Sequence, residues 1–338
     1  MSKKQNRAFG APDPTRRKLL STGAISAAAA ATAAVLGTSS TAQETPPDTA
    51  PQVIAQQPLP DSPGEFTGQC VFITGGARGI GYACAEEFAK AGANIVLYDI
   101  AANIDAVNYP MATEQDLAKA KSNIEALGVK CITIKGDVRD SAQLRAATNR
   151  AVQEFGSLDI LVVNAGVTHI GVLGEFPDDE IQTVIDINFT GAVKTTQAAL
   201  PIMRRQNSGR IVMISSITGR IGSEDFSVYA STKWALLGLM KSTALAMAQH
   251  NVMCNAVCPT WVRTKLADND YILNALTPAN PTFEALAEGA KAFHPLPIGN
   301  YEPVDIARLV KMLCGPATAM ITGEAFDVSA GFNARFNA

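Results

Sequence analysis

A tyrosine and a lysine four positions apart, Tyr229 and Lys233, are the residues whose types and spacing most directly suggest chemistry. They stand near the start of a segment with helical periodicity, and residues four apart lie on one face of a helix. A phenol has an ordinary pKa near ~10 and is a poor base at neutral pH, but a neighbouring ammonium stabilises its phenolate. The pair could therefore transfer a proton, although the same spacing is typical of any amphipathic helix surface.

A second candidate site is the glycine-rich run TGGARGIG at 74–81, which follows a short apolar strand and opens a helix. Glycines allow a tight turn and a close approach of the backbone, so that amide N–H groups and the helix dipole face a pyrophosphate. The run indicates a dinucleotide-binding loop. A glycine-rich turn without any ligand is the alternative interpretation.

Asp99 ends the next predicted strand, 18 positions after Gly81. A carboxylate at this place can accept hydrogen bonds from the ribose hydroxyls of an adenosine, and it would repel a 2′-phosphate. Arg78 could favour the phosphate, but Ile100 supplies no cation beside Asp99. The sequence therefore favours NAD over NADP.

Alternating strands and helices must position these residues. Short apolar runs predict strands at 71–73, 94–99, 130–135, 158–163, 210–215 and 252–257. Helical periodicity fills the gaps, notably at 83–91, 141–155, 178–205 and 228–250. Continuous apolar strands that alternate with helices predict an α/β fold, a doubly wound parallel sheet with helices on both faces. Ligands bind such sheets beyond the carboxyl ends of the strands.

Several separated motifs, in their order, resemble those of the short-chain dehydrogenase/reductase family, and the resemblance runs over about residues 69–331. The motifs are 74–81, Asp137-Val138, Asn164-Ala165-Gly166, Asn188, Ser216, Tyr229 with Lys233, and Pro259 with Thr264. The resemblance implies a single-domain Rossmann fold of about seven strands over 65–338, and a nicotinamide-dependent oxidoreductase.

By this resemblance, Tyr229 is the general acid/base, Lys233 also holds the nicotinamide ribose, and Ser216 binds the substrate oxygen. Asn188 holds a water that links Lys233 to bulk solvent. The predicted catalytic residues are Asn188, Ser216, Tyr229 and Lys233. Taken singly, the serine could merely end a strand, and the asparagine could cap or bend a helix.

The same resemblance assigns cofactor contacts to a larger set. Asp137 and Val138 correspond to the pair that touches adenine, the segment 164–166 lines the cofactor beside the central strand, and 259–264 holds the nicotinamide amide. Thr260 stands where the family usually has Gly, so the backbone there is less permissive. The predicted cofactor-binding residues are Gly75, Arg78, Gly79, Ile80, Asp99, Asp137, Val138, Asn164, Ala165, Gly166, Tyr229, Lys233, Pro259, Val262 and Thr264.

The chain between Asp99 and Asp137 is longer than is usual in this family, and the excess falls at 101–113. Together with 98–100 and 259–262, this insertion resembles the carveol-dehydrogenase-like subgroup. Some members of that subgroup retain NAD as a non-exchanging group, and a loop beside the adenosine could cover it. A harmless surface insertion is the alternative.

The segment at 265–300 corresponds to the substrate lid of the family. Its apolar content favours a hydrophobic alcohol or ketone, such as a cyclic one, and its apolar side chains include Tyr271, Leu273, Leu276, Phe283 and Phe293. Further candidates for the wall of the substrate site are His169, Thr218, Phe226 and Trp261. Any of these residues could instead serve in packing.

The N-terminal residues differ in composition from the rest of the chain. Residues 1–42 carry six basic side chains and one acidic side chain, with an uncharged Ala-rich stretch at 19–37. This order is typical of a signal peptide, and TRRKLL at 15–20 resembles a twin-arginine signal. We expect cleavage after Ala42, a Pro-rich linker at 43–64 and export of the folded protein to the periplasm. An uncleaved membrane anchor or a mobile basic tail is the alternative.

Charge and cysteine content argue against several other classes of protein. The chain has a net charge of −3, and removing the +5 of residues 1–42 leaves −8 for the body, which disfavours a nucleic-acid or polybasic membrane surface. Six cysteines without metal-type spacing predict no zinc site, and we expect all six thiols to be reduced. His250 and His294 are predicted to be surface residues rather than catalysts.

The leading hypothesis is an NAD-dependent alcohol dehydrogenase or ketone reductase that acts on a small molecule and is exported folded with its cofactor. The resemblance implies a homodimer or homotetramer, because family members usually pair the helices near Asn188 and Tyr229. The alternatives are a periplasmic protein that retains NAD to bind or sense a ligand without turnover, and an NADP-dependent carbonyl reductase. A pure binding protein has no need of Tyr229 and Lys233 together.

Overall fold

The computed structural model describes residues 64–335, in which strands and helices alternate. The strands are β1 Cys70–Thr74, β2 Asn94–Asp99, β3 Cys131–Lys135, β4 Ile160–Val163, β5 Gly209–Ile214, β6 Val252–Pro259 and β7 Ala325–Val328. The helices are α1 Gly79–Lys90, α2 Glu114–Glu125, α3 Ser141–Phe155, α4 Asp178–Ile185, α5 Gly191–Gln206, α6 Ser227–Met247, α7 Asp270–Leu276, α8 Phe283–Ala290 and α9 Pro303–Cys314. The predicted signal peptide and almost all of the predicted linker lie outside the described residues.

The strands form one sheet in the order β3-β2-β1-β4-β5-β6-β7, and every neighbouring pair is parallel. This arrangement confirms the predicted doubly wound α/β fold. The strand order reverses between β1 and β4, so the loops that leave these two strands diverge and open a crevice at their carboxyl ends. The glycine-rich run follows β1, and the Asn164-Ala165-Gly166 segment follows β4.

Helices cover both faces of the sheet, which explains why the central strands are apolar throughout. Every residue of β1 and of β4 is buried. Side chains of α3, α5 and α6 pack on one face, and side chains of α1, α2 and α9 pack on the other. A strand buried on both sides has no polar face to alternate with, as the sequence pattern indicated.

Capping residues fix the ends of α3, and its predicted bounds are confirmed. Asp140 precedes the helix and accepts hydrogen bonds from the N–H groups of Ala142 and Gln143. The helix ends before Gly156, whose φ of +85° a residue with a side chain rarely adopts. Both signals are local, so they could be read from the sequence.

The predicted helical segment at 178–205 is helical throughout, but it contains a π-helical turn that the sequence did not indicate. The segment Asp186–Thr190 is π-helical and separates α4 from α5. A π-helical turn bonds residues five apart instead of four, and such turns are frequent at functional sites. Asn188, a predicted catalytic residue, lies in the middle of this turn.

Four elements were not located from the sequence: the polar surface helix α2, the two short lid helices α7 and α8, and the last strand, β7. The Thr113 side chain accepts a hydrogen bond from the N–H group of Asp116, and the Asp116 carboxylate accepts one in return from the N–H group of Thr113, so α2 begins with a reciprocal cap. Within 64–335 no helix is both long and apolar enough to cross a membrane.

Candidate active site

Two adjoining cavities open at the carboxyl ends of the strands. The glycine-loop cavity, of about 160 Å³, lies over β1, β2 and β4, and the tyrosine cavity, of about 280 Å³, lies over β5 and β6. Five residues line both cavities: Ile80, Asn164, Gly166, Thr264 and Leu266. Two molecules bound in them would therefore meet along a shared boundary.

Every predicted cofactor-binding residue lines one of the two cavities. Those in the glycine-loop cavity are Gly75, Arg78, Gly79, Ile80, Asp99, Asp137, Val138, Asn164, Ala165, Gly166 and Thr264. Those in the tyrosine cavity include Tyr229, Lys233, Pro259 and Val262. Of the four predicted catalytic residues, Ser216, Tyr229 and Lys233 line the tyrosine cavity, and Asn188 lines neither.

The glycine loop is too tightly packed to admit side chains at two of its glycines. A Cβ atom on Gly81 would lie 2.2 Å from the carbonyl oxygen of Gly75, and a Cβ atom on Gly75 would lie 3.0 Å from Cα of Ala165. Gly75 and Gly79 have φ values of +66° and +61°, which favour glycine. The loop can thus bring its backbone N–H groups close to a phosphate at the start of α1.

Asn164 braces this loop from the end of β4. Its Nδ2 donates to the carbonyl oxygens of Thr74 and Gly75 at 2.9 and 3.1 Å. The Thr74 Oγ1 accepts from the N–H groups of Asn164 and Ala165 in return. We predicted that Asn164 lines the cofactor. The Asn164 side chain also fixes the shape of the loop.

Asp99 presents a buried carboxylate to the glycine-loop cavity. Its Oδ2 accepts from the N–H group of Ala77 at 3.1 Å, and its Oδ1 accepts from that of Ala101 at 3.0 Å. The Arg78 guanidinium donates to the carbonyl oxygen of Pro110 at 2.7 Å and so is held by the insertion. The cavity therefore has a fixed negative charge at the place where a 2′-phosphate would need a cation.

The insertion at 101–113, called the strap below, packs over the glycine-loop cavity. Its lining residues are Ile104, Tyr109, Met111 and Ala112. Val107 and Tyr109 are buried, and the Tyr109 hydroxyl accepts from the N–H group of Thr168 at 3.0 Å. The Asn108 amide donates to Glu180 at 3.1 Å. A segment held by these bonds is an ordered part of the site.

Asp137 and Val138 meet the cavity with their main chain and with apolar surface. The Asp137 carboxylate is bound by the Arg139 guanidinium at 2.6 Å, and its carbonyl oxygen accepts from the Tyr98 hydroxyl. Val138 packs against Gly191, where a Cβ atom would lie 2.6 Å from Val138 Cγ2. Such a position suits an aromatic base better than a charged group.

Tyr229 and Lys233 lie on successive turns at the start of α6, as their spacing predicted. The Lys233 Nζ is 5.4 Å from the centre of the Tyr229 ring and donates to the carbonyl oxygen of Ile214 at 2.9 Å. The Ser216 Oγ accepts from the N–H group and the hydroxyl of Thr218 at 3.2 and 3.1 Å. Three polar side chains are thus brought to one end of the tyrosine cavity.

Burial governs the protonation of this group. Burial raises the pKa of Tyr229 to about 12, against a smaller lowering by its hydrogen bond with the Ser216 side chain. Burial lowers the pKa of Lys233 to about 8, with a small opposing effect of Cys258. We expected the Lys233 ammonium to lower the pKa of the phenol, but in the protein alone the removal of water determines the direction of the shift.

Asn188 ties the segment after β4 to α6. Its Oδ1 accepts from the N–H group of Val167 at 2.8 Å, and its Nδ2 donates to the carbonyl oxygen of Val167 and to Thr232 Oγ1. Both amide hydrogens are therefore used within the protein, and one accepting position remains on Oδ1. The side chain thus links Val167, which lines the glycine-loop cavity, to Thr232 of α6.

The wall of the tyrosine cavity is mainly apolar and aromatic. Of the predicted wall residues, Thr218, Phe226 and Trp261 line it, and the Phe226 ring lies 6.2 Å from the rings of both Tyr229 and Trp261. His169 does not line the cavity, and its Nδ1 lies 2.8 Å from Glu180 Oε2 in the interior. The prediction for His169 is therefore wrong.

The lid at 265–300 contributes fewer wall residues than we predicted. Leu266, Ala267 and Ile272 line the tyrosine cavity. Leu273 and Phe283 form a separate small core against which Leu276 packs. The Tyr271 hydroxyl bonds the main chain of Ile170. Phe293 is 46% exposed. Leu273, Leu276 and Phe283 thus pack α7 and α8 on each other, and none of the five predicted lid residues lines the tyrosine cavity.

His294 is buried, so its predicted place on the surface is also wrong. It is 6% exposed and has a hydrogen-bond partner on each ring nitrogen, Thr260 and Ile298.

Among residues 64–335 no group of three or more His, Cys, Asp or Glu side chains is placed to hold a metal ion. All six cysteines are free and buried.

Comparison with known proteins agrees with this geometry. The family model for short chain dehydrogenases matches residues 69–271. A (−)-trans-carveol dehydrogenase of Rhodococcus erythropolis is 37% identical over 268 residues, which cover 78% of this chain and 97% of the relative. The oxidoreductase UcpA of Escherichia coli K12 is 36% identical, over 79% of this chain and 95% of the relative.

Solved structures are similar over the same part of the chain. The carveol dehydrogenase of Mycobacterium avium in complex with NAD has a TM-score of 0.78 at 34% identity, over 80% of this chain and 99% of that chain. Levodione reductase has a TM-score of 0.71 at 27% identity, over 80% and 100%. The chain belongs to the short-chain dehydrogenase/reductase family.

Proposed function

We propose that this protein is an NAD-dependent oxidoreductase that interconverts a secondary alcohol and a ketone in the tyrosine cavity. The observation that carries the proposal is the placement of Tyr229, whose phenol, with Ser216 beside it, faces an apolar cavity that adjoins the glycine-loop cavity. A proton donor and acceptor, an apolar substrate space and a dinucleotide space thus meet at one boundary.

NAD fits the glycine-loop cavity, where glycines leave room for a pyrophosphate and Asp99 can accept hydrogen bonds from ribose hydroxyls. Two solved relatives, 34% and 30% identical, were crystallised with NAD. The main chain of the loop, Asp99, Asp137 and Thr264 would hold the dinucleotide. When bound, oxidised NAD would supply two things: a carbon that accepts a hydride, and a positive charge.

Tyr229 moves the proton in this proposal. In oxidation the phenolate of Tyr229 accepts the proton of the substrate hydroxyl while the carbinol carbon gives up its hydride, so that alcohol and oxidised cofactor become ketone, reduced cofactor and a proton. Ser216 holds the substrate oxygen, and the Lys233 ammonium stabilises the phenolate. In reduction Tyr229 returns the proton. Asn188 keeps the β4 segment and α6 at a fixed distance.

We propose a hydrophobic, cyclic substrate. Most of the side chains that line the tyrosine cavity are aliphatic or aromatic, including Ile214, Ile221, Phe226 and Trp261. The binding of a molecule by an apolar wall becomes stronger as the hydrophobic area that the wall covers increases, and a few polar groups fix the orientation of the molecule. The carveol dehydrogenases among the relatives support a monocyclic terpenoid alcohol as the first probe.

We further propose that NAD is retained rather than exchanged. The strap is fixed by the bonds of Arg78, Asn108 and Tyr109 over the cavity that NAD would fill. Protein that is dialysed extensively and then denatured should release close to one nicotinamide per chain. Tyr109→Phe should lose NAD faster, whereas Asp105→Asn, a change at an exposed strap position, should not. Wild-type protein that emerges empty from dialysis contradicts retention.

Export of the folded protein is proposed from the sequence of residues 1–42. Retained NAD would then explain how a nicotinamide enzyme acts where no free NAD pool is expected. Replacing both Arg16 and Arg17 by Lys should leave the protein in the cytoplasm, as cell fractionation would measure. Unchanged distribution of the variant would remove the support for the twin-arginine route.

We also propose a homodimer or homotetramer. The outer face of α6 exposes two large apolar side chains, Trp234 at 49% and Leu245 at 84%, and exposed apolar area of this kind marks contact surfaces. Light scattering should give a multiple of the chain mass, and Leu245→Glu should reduce it. A monomer at micromolar concentration overturns this proposal.

The test of the proposed function is turnover of (−)-trans-carveol and of saturated cyclic alcohols by the purified protein with NAD. We expect secondary alcohols to reduce the NAD that the protein retains, and cofactor-free protein loaded with NADP instead to form little NADPH. If no secondary alcohol and no corresponding ketone changes the redox state of the cofactor, the proposed reaction is wrong.

A further inference from the structure

His294 lies at the end of the lid, where both of its ring nitrogens have partners inside the protein. Its Nδ1 is 2.7 Å from the carbonyl oxygen of Ile298, and its Nε2 is 2.9 Å from Thr260 Oγ1. The chain reaches this place after α8 and then turns back towards the sheet. A histidine in this position joins the lid to the loop that leaves β6.

The partners fix the direction of both hydrogen bonds for the neutral ring. A carbonyl oxygen only accepts, so the hydrogen of the imidazole must be on Nδ1. The Nε2 atom then carries a lone pair, and the Thr260 hydroxyl must donate to it. Since a threonine hydroxyl has one hydrogen, Thr260 is left with accepting positions alone.

Thr260 is part of the wall of the tyrosine cavity. It follows Pro259, the last residue of β6, and its N–H group donates to the carbonyl oxygen of Val328 at 3.0 Å. Trp261, its neighbour, also lines the cavity. Movement of the Thr260 side chain or of its main chain would therefore change the wall against which a substrate packs.

Both sides of the His294 contact are anchored to the rest of the fold. The N–H group of Leu296 donates to the carbonyl oxygen of Ala330, and that of Tyr301 donates to the carbonyl oxygen of Trp261. Gly331, with a φ of +83°, lies against Pro295. These main-chain bonds hold the backbone of both segments, and the imidazole adds a bond to the Thr260 side chain.

We propose that His294 is a positioning residue for the reaction proposed above, on which this inference rests. It acts through Thr260: the hydrogen bond fixes this part of the tyrosine-cavity wall and leaves the Thr260 hydroxyl as an acceptor for an N–H or O–H group of a molecule bound in the cavity. Thr260 stands where the family usually has glycine, which offers no side chain to hold.

Steady-state kinetics on the NAD-loaded enzyme, with (−)-trans-carveol and an artificial electron acceptor that re-oxidises the retained cofactor, test the proposal. Thr260→Val keeps the shape of the side chain and removes the hydroxyl, and His294→Phe keeps a ring and removes both bonds. Each variant should raise KM about tenfold, the effect of one lost hydrogen bond, and leave kcat within about twofold. The KM of the double variant should not exceed that of the single variant with the higher KM, because both substitutions remove the same Thr260–His294 hydrogen bond. His250→Phe is the control and should change neither constant.

His294→Gln should restore part of the lost affinity, since an amide offers one donor and one acceptor. A role in stability alone would lower the unfolding temperature of the variants without changing KM. Additive effects in the double variant, or unchanged KM in both single variants with a normal wild-type rate, overturn this inference and leave the proposed function intact. A wild-type enzyme without turnover overturns the proposed function and, with it, the part of His294 in the reaction.

Nitrogen-15 NMR gives a readout that does not depend on turnover, because the chain has only three histidines. The His294 ring should show a protonated Nδ1 and an unprotonated Nε2, and Thr260→Val should shift the Nε2 resonance of this histidine alone. A ring protonated on Nε2, or an Nε2 resonance that ignores Thr260→Val, contradicts the proposed contact.

Discussion

Lys233 Nζ lies 5.4 Å from the centre of the Tyr229 ring, and its hydrogen bond goes to the carbonyl oxygen of Ile214. Burial moves the two pKa values in opposite directions, to about 12 for Tyr229 and to about 8 for Lys233. In the protein alone, the lysine therefore loses its proton before the tyrosine does. In the proposed reaction, proton abstraction by Tyr229 would then depend on a positive charge that oxidised NAD would bring to the site.

Tyr229→Phe should abolish turnover and preserve the binding of NAD. The substitution removes the hydroxyl that exchanges the proton and keeps the ring that packs against Phe226. Loss of general acid/base catalysis lowers kcat by about 10²- to 10⁴-fold. Steady-state kinetics and a count of nicotinamide per chain measure the two properties. Full activity of the variant would remove Tyr229 from the mechanism.

Lys233→Met should abolish activity and stabilise the cofactor-free protein below the folded-state pKa of Lys233. Since burial lowers that pKa from 10.5 to about 8, the wild-type protein becomes more stable as pH rises from 8 towards 10.5. The methionine variant lacks this dependence. Below pH 8 the free energy of unfolding of the methionine variant should exceed that of the wild type by at most about 3 kcal/mol. The difference should shrink at higher pH, and denaturant unfolding measures it. A pH-independent difference contradicts the assignment of this charge.

Asp99→Asn should weaken the preference for NAD over NADP. The amide keeps one acceptor for the loop N–H groups and removes the charge that would repel a 2′-phosphate. Because placing like charges together costs several kcal/mol, we expect the ratio of the NADP to the NAD dissociation constant, measured on cofactor-free protein, to fall at least about tenfold. Asp105→Asn, which removes an exposed charge from the strap, is the matched control. Equal ratios in the two variants would argue against the role of Asp99.

Gly81→Ala should destabilise the glycine loop and prevent NAD binding. The new Cβ would meet backbone atoms of Gly75 and the Asn164 amide, which cannot give way without distorting the loop. Such overpacking costs about 1–3 kcal/mol. Gly238→Ala in α6 meets nothing within 4 Å and should be neutral or stabilising. Thermal unfolding and NAD titration are measured for both variants. Equal unfolding temperatures and equal NAD affinities in the two would contradict the close packing around Gly81.

The fold and part of the glycine-loop cavity could be predicted from local signals, whereas most residues of the tyrosine cavity were predicted from the resemblance to the family. The runs that became β1 and β4 are apolar throughout because both faces of these strands are buried. The glycine loop follows β1 directly, and Asp99 ends β2. Each of these signals lies within a few residues of the feature that it predicts, and parallel strands then bring them to one edge of the sheet.

The features that the sequence did not predict depend on long-range contacts or on the backbone alone. The π-helical turn around Asn188 has no side-chain signature that separates it from a helix. His294 contacts Thr260, which is 34 positions away in the chain. Leu273 and Phe283 are apolar whether they face a substrate or each other. Periodicity reports that a side chain is buried, and it does not report what buries it.

Hydride transfer at this site can be tested with (−)-trans-carveol that carries deuterium on its carbinol carbon. The measurement is the transfer of this deuterium to the cofactor. The protein should be used with its own NAD, without added acceptor, and the cofactor recovered by denaturation for mass spectrometry. We expect the wild type to yield reduced cofactor that carries one deuterium, and Tyr229→Phe to yield no deuterated cofactor. Cofactor that stays oxidised and unlabelled with this alcohol and with a panel of labelled cyclic secondary alcohols would contradict hydride transfer at this site.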